Sequence, residues 1–218
     1  MIMKKGIFIV VVLTIVSSFF IPLNAQMGEM DAKHIFKTSS ADELRTNLRE
    51  LWEDHAMYTR NVIMNIIDDL PGTNEAVDRL LQNQVDIGNA IKPVYGTDAG
   101  NKLTNLLKEH IVIAADLLKA AKTNKDADFK TANTKWFKNA DDIAAFLSSA
   151  NPKNWPLDDM KKMMHDHLDL TTQEAVARLK KDYKADIEVF DKVRAELQEM
   201  SDMLAAGIIK QFPEKFKN

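Results

Sequence analysis

The sequence predicts an all-α protein, a bundle of six helices built from three repeated helical hairpins. Three observations favour this fold. Apolar residues recur at intervals of three and four, as in Leu44, Leu48 and Leu51, which is the spacing of a buried helical face. The short β-branched runs fall inside such helical patterns, so no strand is predicted. The third observation is a repeated motif that ends in an acid followed by histidine.

The first 25 residues are predicted to be a secretory signal peptide. Two lysines precede an apolar run that continues to about Val16, and Ala25 ends the predicted cleavage site. A retained membrane anchor is the alternative, but the run is shorter than the roughly 20 residues that span a bilayer. The mature chain is therefore expected in the periplasm or outside the cell, with no stable membrane insertion after cleavage. Residues 26–40 are predicted to be a flexible lead-in.

Capping and breaking residues divide residues 41–218, the predicted bundle domain, into six helices. A capping box at Ser40–Glu43 starts the first helix, and Pro71–Gly72 ends it. Gly96 stops the second helix, and the prolines within Asn151–Pro156 separate the fourth helix from the fifth. The predicted helices run over about Ser40–Leu70, Thr73–Val94, Asp98–Ala121, Ala127–Ser149, Pro156–Lys180 and Ala185–Gln211.

The odd-numbered helices share one pattern: an apolar residue, two polar residues, two apolar residues, any residue, an acid and a histidine. Its three copies end in Asp54-His55, Glu109-His110 and Asp166-His167. A fixed period of this kind indicates units that bury their apolar faces against one another, and three units favour a closed bundle over an open solenoid. Chance similarity among amphipathic helices is the alternative. The predicted hairpins cover about residues 41–96, 97–152 and 153–213.

The second helix of each hairpin carries acids and amides opposite the histidine. In an antiparallel hairpin, residues equidistant from the turn lie at the same height. Each histidine is therefore expected to lie level with an acid or amide of the partner helix. The residues at that height are Asp86, Asp142 and Asp202, with Asn83, Asn139 and Glu199 about one turn nearer the loops and on the apolar side.

Three inward imidazoles at a similar height, with carboxylates nearby, indicate an internal binding site. Such a set suits zinc, iron, copper or manganese, because helical bundles build metal sites from inward side chains on facing helices. The first interpretation is therefore a binding protein for a divalent transition metal or a small polar ligand. The predicted ligand set is His55, His110, His167, Asp54, Glu109, Asp166, Asp86, Asp142, Glu199 and Asp202.

Two other interpretations stay open. In one, the histidines are neutral core residues, each satisfied by an acid or amide, and the protein is a noncatalytic structural or partner-binding module. In the other, the protein is a metal-dependent enzyme, which needs an open coordination position. The Glu-x-x-His signature of di-iron bundles is missing, since Trp52, Leu107 and Met164 stand three residues before the histidines.

Two further features of the predicted fifth and sixth helices have ordinary structural explanations. His165 precedes His167 by two residues and points about 200° away from it, so it is expected to face solvent. Methionines at helical spacing could bind a soft metal, but they are first of all typical of core packing. These methionines are Met160, Met163, Met164, Met200 and Met203.

Composition excludes several functions. The chain has no cysteine, which rules out disulfides and thiolate metal sites. Removal of the first 25 residues would take away two lysines and change the formal charge from −3 to −5. An acidic surface repels nucleic acid, so nucleic-acid binding is not expected. Protein partners are not indicated by any motif.

The segments LLQNQVDIGNAIKPVYG, FLSSANPKNWP and SDMLAAGIIKQFPEKF, with the acid-His motifs, resemble a group of small bacterial secreted helical proteins of uncharacterised function. The resemblance covers nearly the whole mature chain and implies no site residues. Some members of the group carry a glycosyltransferase label. Such enzymes have nucleotide-binding α/β folds, whereas this sequence predicts no strand.

Overall fold

The computed structural model describes residues 39–217, and in this part of the chain it confirms the predicted all-α bundle of six helices. No strand occurs among these residues, and none of their helices is long and apolar enough to cross a membrane. The predicted signal peptide and most of the lead-in lie outside the described residues. The helices are α1 (Ser40–Asp68), α2 (Thr73–Tyr95), α3 (Thr97–Lys122), α4 (Asp126–Ala150), α5 (Leu157–Leu179) and α6 (Tyr183–Gln211), followed by a 3-10 turn at Pro213–Phe216.

Local sequence explains where the helices begin and end. The cap of α1 is Ser39, one residue before the predicted one, because its hydroxyl accepts from the Asp42 amide at 3.2 Å. Asp69 adopts a left-handed conformation (φ 55°) and ends α1. Gly96 (φ 87°) separates α2 from α3, as predicted, since glycine takes this conformation without strain.

The six helices close on themselves. Each helix packs against the next one in the chain, and α1 packs against α6. Inside this ring, α1 also contacts α3 and α5. The three helices that carry the acid-His motif therefore meet in the interior of the bundle.

The apolar core consists of two clusters of buried side chains, and along the first helix a buried histidine lies between them. Along α1, Leu48 and Trp52 belong to the larger cluster, whereas Val62 and Ile63 belong to the smaller one. His55 lies between them and is buried. This polar side chain thus lies in the middle of the core rather than at its edge.

Helices α2 and α3 approach each other closely at Gly88 and Gly100. A Cβ atom added at Gly88 would lie 2.6 Å from the Gly100 carbonyl oxygen and 2.0 Å from the hydroxyl of Thr104. The first of these neighbours is backbone and cannot rotate away. The absence of a side chain at residue 88 is therefore a condition for the close α2–α3 packing.

We expect Gly88→Ala to lower the free energy of unfolding by about 2 kcal/mol, because the added methyl group would push α2 and α3 apart. Helix propensity alone predicts the opposite sign, a gain of about 1 kcal/mol for Gly→Ala. Urea unfolding followed by circular dichroism distinguishes the two. A variant as stable as the original protein, or more stable, would show that the packing at Gly88 is not tight.

Candidate functional site: a buried histidine layer

The three histidines of the repeated motif lie together inside the bundle. His55, His110 and His167 stand on the apolar faces of α1, α3 and α5, and only 3%, 4% and 4% of their surface is exposed. The ring centroids of His55 and His167 are 5.9 Å apart, and those of His110 and His167 are 6.4 Å apart. The rings therefore form one layer, the histidine layer.

Each histidine forms a hydrogen bond with the second helix of its own hairpin. In all three cases the Nδ1 atom meets a side chain 29 residues further along the chain. This equal separation is what a repeated hairpin predicts. The Nδ1 contacts are His55 with Gln84 Nε2 at 3.2 Å, His110 with Asn139 Oδ1 at 2.8 Å, and His167 with Glu196 Oε2 at 3.0 Å.

Both ring nitrogens of His110 are engaged within the protein. The Trp136 indole donates from Nε1 to His110 Nε2 at 3.0 Å, so Nε2 is the acceptor. The Nδ1 atom then carries the proton and donates to Asn139 Oδ1 at 2.8 Å. The Asn139 amide nitrogen donates in turn to the Leu106 carbonyl at 3.1 Å. This network assigns a neutral imidazole with no lone pair left for a metal ion.

The partner of His55 is less completely satisfied. Gln84 is fully buried, and its Nε2 lies near three acceptors: His55 Nδ1, the Leu80 carbonyl at 2.8 Å and Asn83 Oδ1 at 3.0 Å. The Nε2 group has only two hydrogens for these three acceptors. The Gln84 Oε1 atom has no partner. Since an unsatisfied buried acceptor costs about 1–3 kcal/mol, this pair stabilises the bundle less than the pair between His110 and Asn139.

Burial keeps two histidines of the layer, His55 and His110, neutral. Loss of solvation lowers the pKa of His55 to about 3, and repulsion from protonated His167 and His110 acts in the same direction. Loss of solvation likewise lowers the pKa of His110 to about 3, with a smaller contribution from His167. The two imidazoles are therefore uncharged at neutral pH.

The seven predicted acidic ligands form no hydrogen bond with the three histidines. Asp54, Glu109 and Asp166 directly precede the histidines and therefore point about 100° away from the core. Asp202 is held by two arginines of α1, which keep its pKa well below the usual range. The ionic partners are Arg79 for Asp54 and Asp86, Lys138 for Asp142, Lys162 for Asp166, and Arg49 and Arg45 for Asp202. The other two acids, Glu109 and Glu199, are exposed.

Within residues 39–217, no group of three or more His, Asp or Glu side chains is arranged to hold a metal ion. The imidazoles converge, but the acids needed to complete the predicted set lie on the outside of the bundle. His165 also lies outside the layer, with 41% of its side chain exposed and its Nε2 atom 3.0 Å from Asp141 Oδ1.

A buried charged network beside the layer did not emerge from the sequence. Arg60 Nη1 lies 2.7 Å from Glu174 Oε1 and 2.9 Å from Asp186 Oδ1, and both acids are only 1% exposed. Arg178 joins Asp186 at 3.2 Å and also pairs with Asp68. The Arg60 guanidinium lies over a ring of α6, that of Phe190. This network ties α1, α5 and α6 together on the turn side of the histidine layer.

The charged network contains three carboxylates and two guanidinium groups. Burial raises the pKa of Glu174 to about 7, although Arg60 opposes the rise. A proton on Glu174 would leave two carboxylates, those of Asp68 and Asp186, for the two arginines. Glu174 is therefore the group of this network that titrates near neutral pH.

No protein-family model, curated protein or solved structure matches the chain. The resemblance to a group of bacterial secreted proteins stays a prediction.

We expect the protein to lose stability in acid. The unfolded histidines bind protons below about pH 6.5, whereas folded His55 and His110 stay neutral down to about pH 3. Their contribution is complete above pH 6.5 and is lost as pH falls toward 3, at about 5 kcal/mol each. Glu174 acts oppositely, since its contribution is complete below pH 4.5 and is lost as pH rises through 7. Two histidines outweigh one glutamate, so urea unfolding should show lower stability at pH 4.5 than at pH 6.5.

In the same titration, His110→Gln should flatten the slope of stability against pH, because one of the two groups is gone. Equal stability of the original protein at pH 4.5 and 6.5 would contradict burial of neutral imidazoles.

We expect Asn139→Leu to lower the free energy of unfolding by about 3 kcal/mol, because the His110 Nδ1–H and the Leu106 carbonyl would both lose a buried partner. Asp142→Leu is the matched control, since Asp142 lies on the same helix but pairs only with exposed Lys138. The control should leave stability nearly unchanged. Similar losses in both variants, measured by urea unfolding, would show that the Asn139 hydrogen bonds stabilise the protein no more than the exposed Asp142–Lys138 pair does.

Proposed function

We propose that this protein is an exported, noncatalytic helical module, structural or partner-binding, in which the histidine layer stabilises the bundle and specifies its packing. Export is supported by the pattern of the first 25 residues, which combines lysines, an apolar run and a small-residue cleavage site. The structural role of the layer rests on the hydrogen bonds of the described residues.

The observation that carries the proposal is the double engagement of His110. Its two ring nitrogens bond to Trp136 and Asn139, so a metal or substrate would have to break a buried hydrogen bond before reaching it. A site meant for chemistry keeps an open position instead. The surface of the bundle, rather than its interior, is then what the protein presents to other molecules.

Paired polar groups in a core favour one packing over others. If one helix of a hairpin slid along the other by a turn, His110 would lose Asn139 and a buried imidazole would be left unpaired. Such a loss costs about 1–3 kcal/mol for each neutral group. Three hairpins, each with its own bond at the same separation, apply this constraint to all six helices.

A second candidate function is an internal site for a metal ion or a small polar ligand. It is favoured by the convergence of the three rings, whose centroids are 5.9 Å and 6.4 Å apart for the two pairs that include His167. The unpartnered Gln84 Oε1 atom would be available to such a ligand. Occupation of this site would require the Trp136–His110 hydrogen bond to open.

Zinc binding and stability, measured on the same protein, distinguish the two functions. We expect protein purified without a histidine tag, stripped with EDTA and incubated with Zn²⁺ to retain less than about 0.1 zinc per chain, with an unchanged free energy of unfolding. Binding at 100 times Kd would instead add about 2.7 kcal/mol. Elemental analysis and urea unfolding are the measurements.

His110→Ala completes this test. The structural role predicts a loss of about 3 kcal/mol whether or not zinc is present, because a cavity and an unpaired Asn139 remain. The exposed His165→Ala serves as the matched control and should be nearly neutral. Stoichiometric zinc that is lost in His110→Ala and kept in His165→Ala would overturn the structural proposal in favour of the internal site.

A further inference from the structure

A groove between α5 and α6 brings together soft sulfur atoms and negative charge. It has a volume of about 290 Å³ and lies on the outside of the third hairpin. Three of the methionines identified in the sequence line it, one from α5 and two from α6. The lining residues are Asp159, Lys162, Met163, Asp166, Glu196, Glu199, Met200 and Met203.

The methionines are placed at the boundary between core and groove. Met163 and Met203 are half-buried, whereas Met200 is buried. Met200 and Met203 stand three residues apart on α6, a spacing that puts both side chains on one face of the helix. Met160 and Met164 are also buried but do not line the groove. All five methionines pack in or against the larger core cluster, but only Met163, Met200 and Met203 also line the groove.

The groove is strongly negative. Four carboxylates line it against one lysine, and that lysine pairs with Asp166. Glu196 uses one oxygen to bond His167, while its other oxygen, Oε1, is buried without a partner. A concave surface of one charge sign concentrates ions of the opposite sign. The groove therefore attracts cations and offers them thioether ligands.

We propose that this groove binds monovalent copper through the thioethers of Met163, Met200 and Met203. Thioethers are soft ligands that select Cu(I) over hard divalent ions. The imidazole and carboxylate groups of residues 39–217 do not by themselves form a metal site, so sulfur is the ligand that distinguishes this groove. The carboxylates of Glu196 and Glu199 balance the ion's charge from the rim. The ion binds as Cu(I), and no electron transfer is involved.

The chain's composition agrees with a thioether site. It contains 11 methionines and no cysteine. An exported protein is expected in an oxidising compartment, where cysteine thiolates form disulfides and are lost as metal ligands. Methionine forms no disulfide, so its thioether remains available as a ligand. The advantage of thioethers over thiolates rests on the proposed export. The groove itself does not depend on it.

Anaerobic titration of the full chain with Cu(I), in competition with bicinchoninate, tests the site. We expect one copper ion per chain and at least a tenfold weaker affinity for the double variant Met163→Leu/Met203→Leu. Leucine keeps the volume and apolar character of methionine and removes only the sulfur. Met57→Leu, on exposed α1 surface, is the matched control and should bind like the original protein. Equal affinity of the double variant, or no copper held against the competitor, would overturn the proposal.

A second measurement covers the case in which the double variant fails to fold. Ag(I), a diamagnetic ion with the ligand preference of Cu(I), is added to protein labelled with ¹³C at the methionine methyl groups. The proposal predicts shifts at Met163, Met200 and Met203, with Met57 and Met64 unmoved. Shifts spread over all methionines, or none, would contradict it.

Discussion

Burying three imidazole rings in an apolar core is tolerable only if their nitrogen atoms find partners, and each hairpin supplies one from its second helix. The Nδ1 atoms of His55, His110 and His167 all meet a side chain 29 residues later. Because the partner must lie level with the histidine, this requirement fixes the position of the turn and the register of the two helices in each hairpin. Along α1 the level of His55 lies between the two apolar clusters, whereas on α3 and α6 the larger cluster continues past this level with Leu117 and Val193.

The three hairpins meet the same requirement with different chemistry. Asn139 gives His110 a complete neutral network, Gln84 leaves an oxygen unsatisfied beside His55, and Glu196 places a carboxylate against His167. The third hairpin is thus the only one of the three, within the described residues, whose histidine faces an acid through Nδ1. Glu196 also lines the methionine groove, so the outer surface of this hairpin is in direct contact with the histidine layer.

Apolar periodicity with capping and breaking residues predicts the helices to within two residues, and the repeated acid-His motif predicts that the histidines converge. The sequence misplaces the partners of His110 and His167 because the predicted heights assumed turns centred near Asp126 and Lys184. The α3–α4 turn is instead centred before Asp126, and the α5–α6 turn before Tyr183, which leaves Asp142 and Asp202 too far along their helices. The Arg60–Glu174 pair joins residues 114 positions apart, and no local pattern reveals such a contact.

Nitrogen-15 NMR of the histidine rings tests the central claim most directly, because it reports protonation and tautomer for each ring. For His110 the hydrogen bonds predict a neutral ring at pH 7 with the proton on Nδ1, an unprotonated Nε2 facing Trp136, and no titration until the pH approaches about 3. A ring that titrates near pH 6.5, or one that carries its proton on Nε2, would contradict the account.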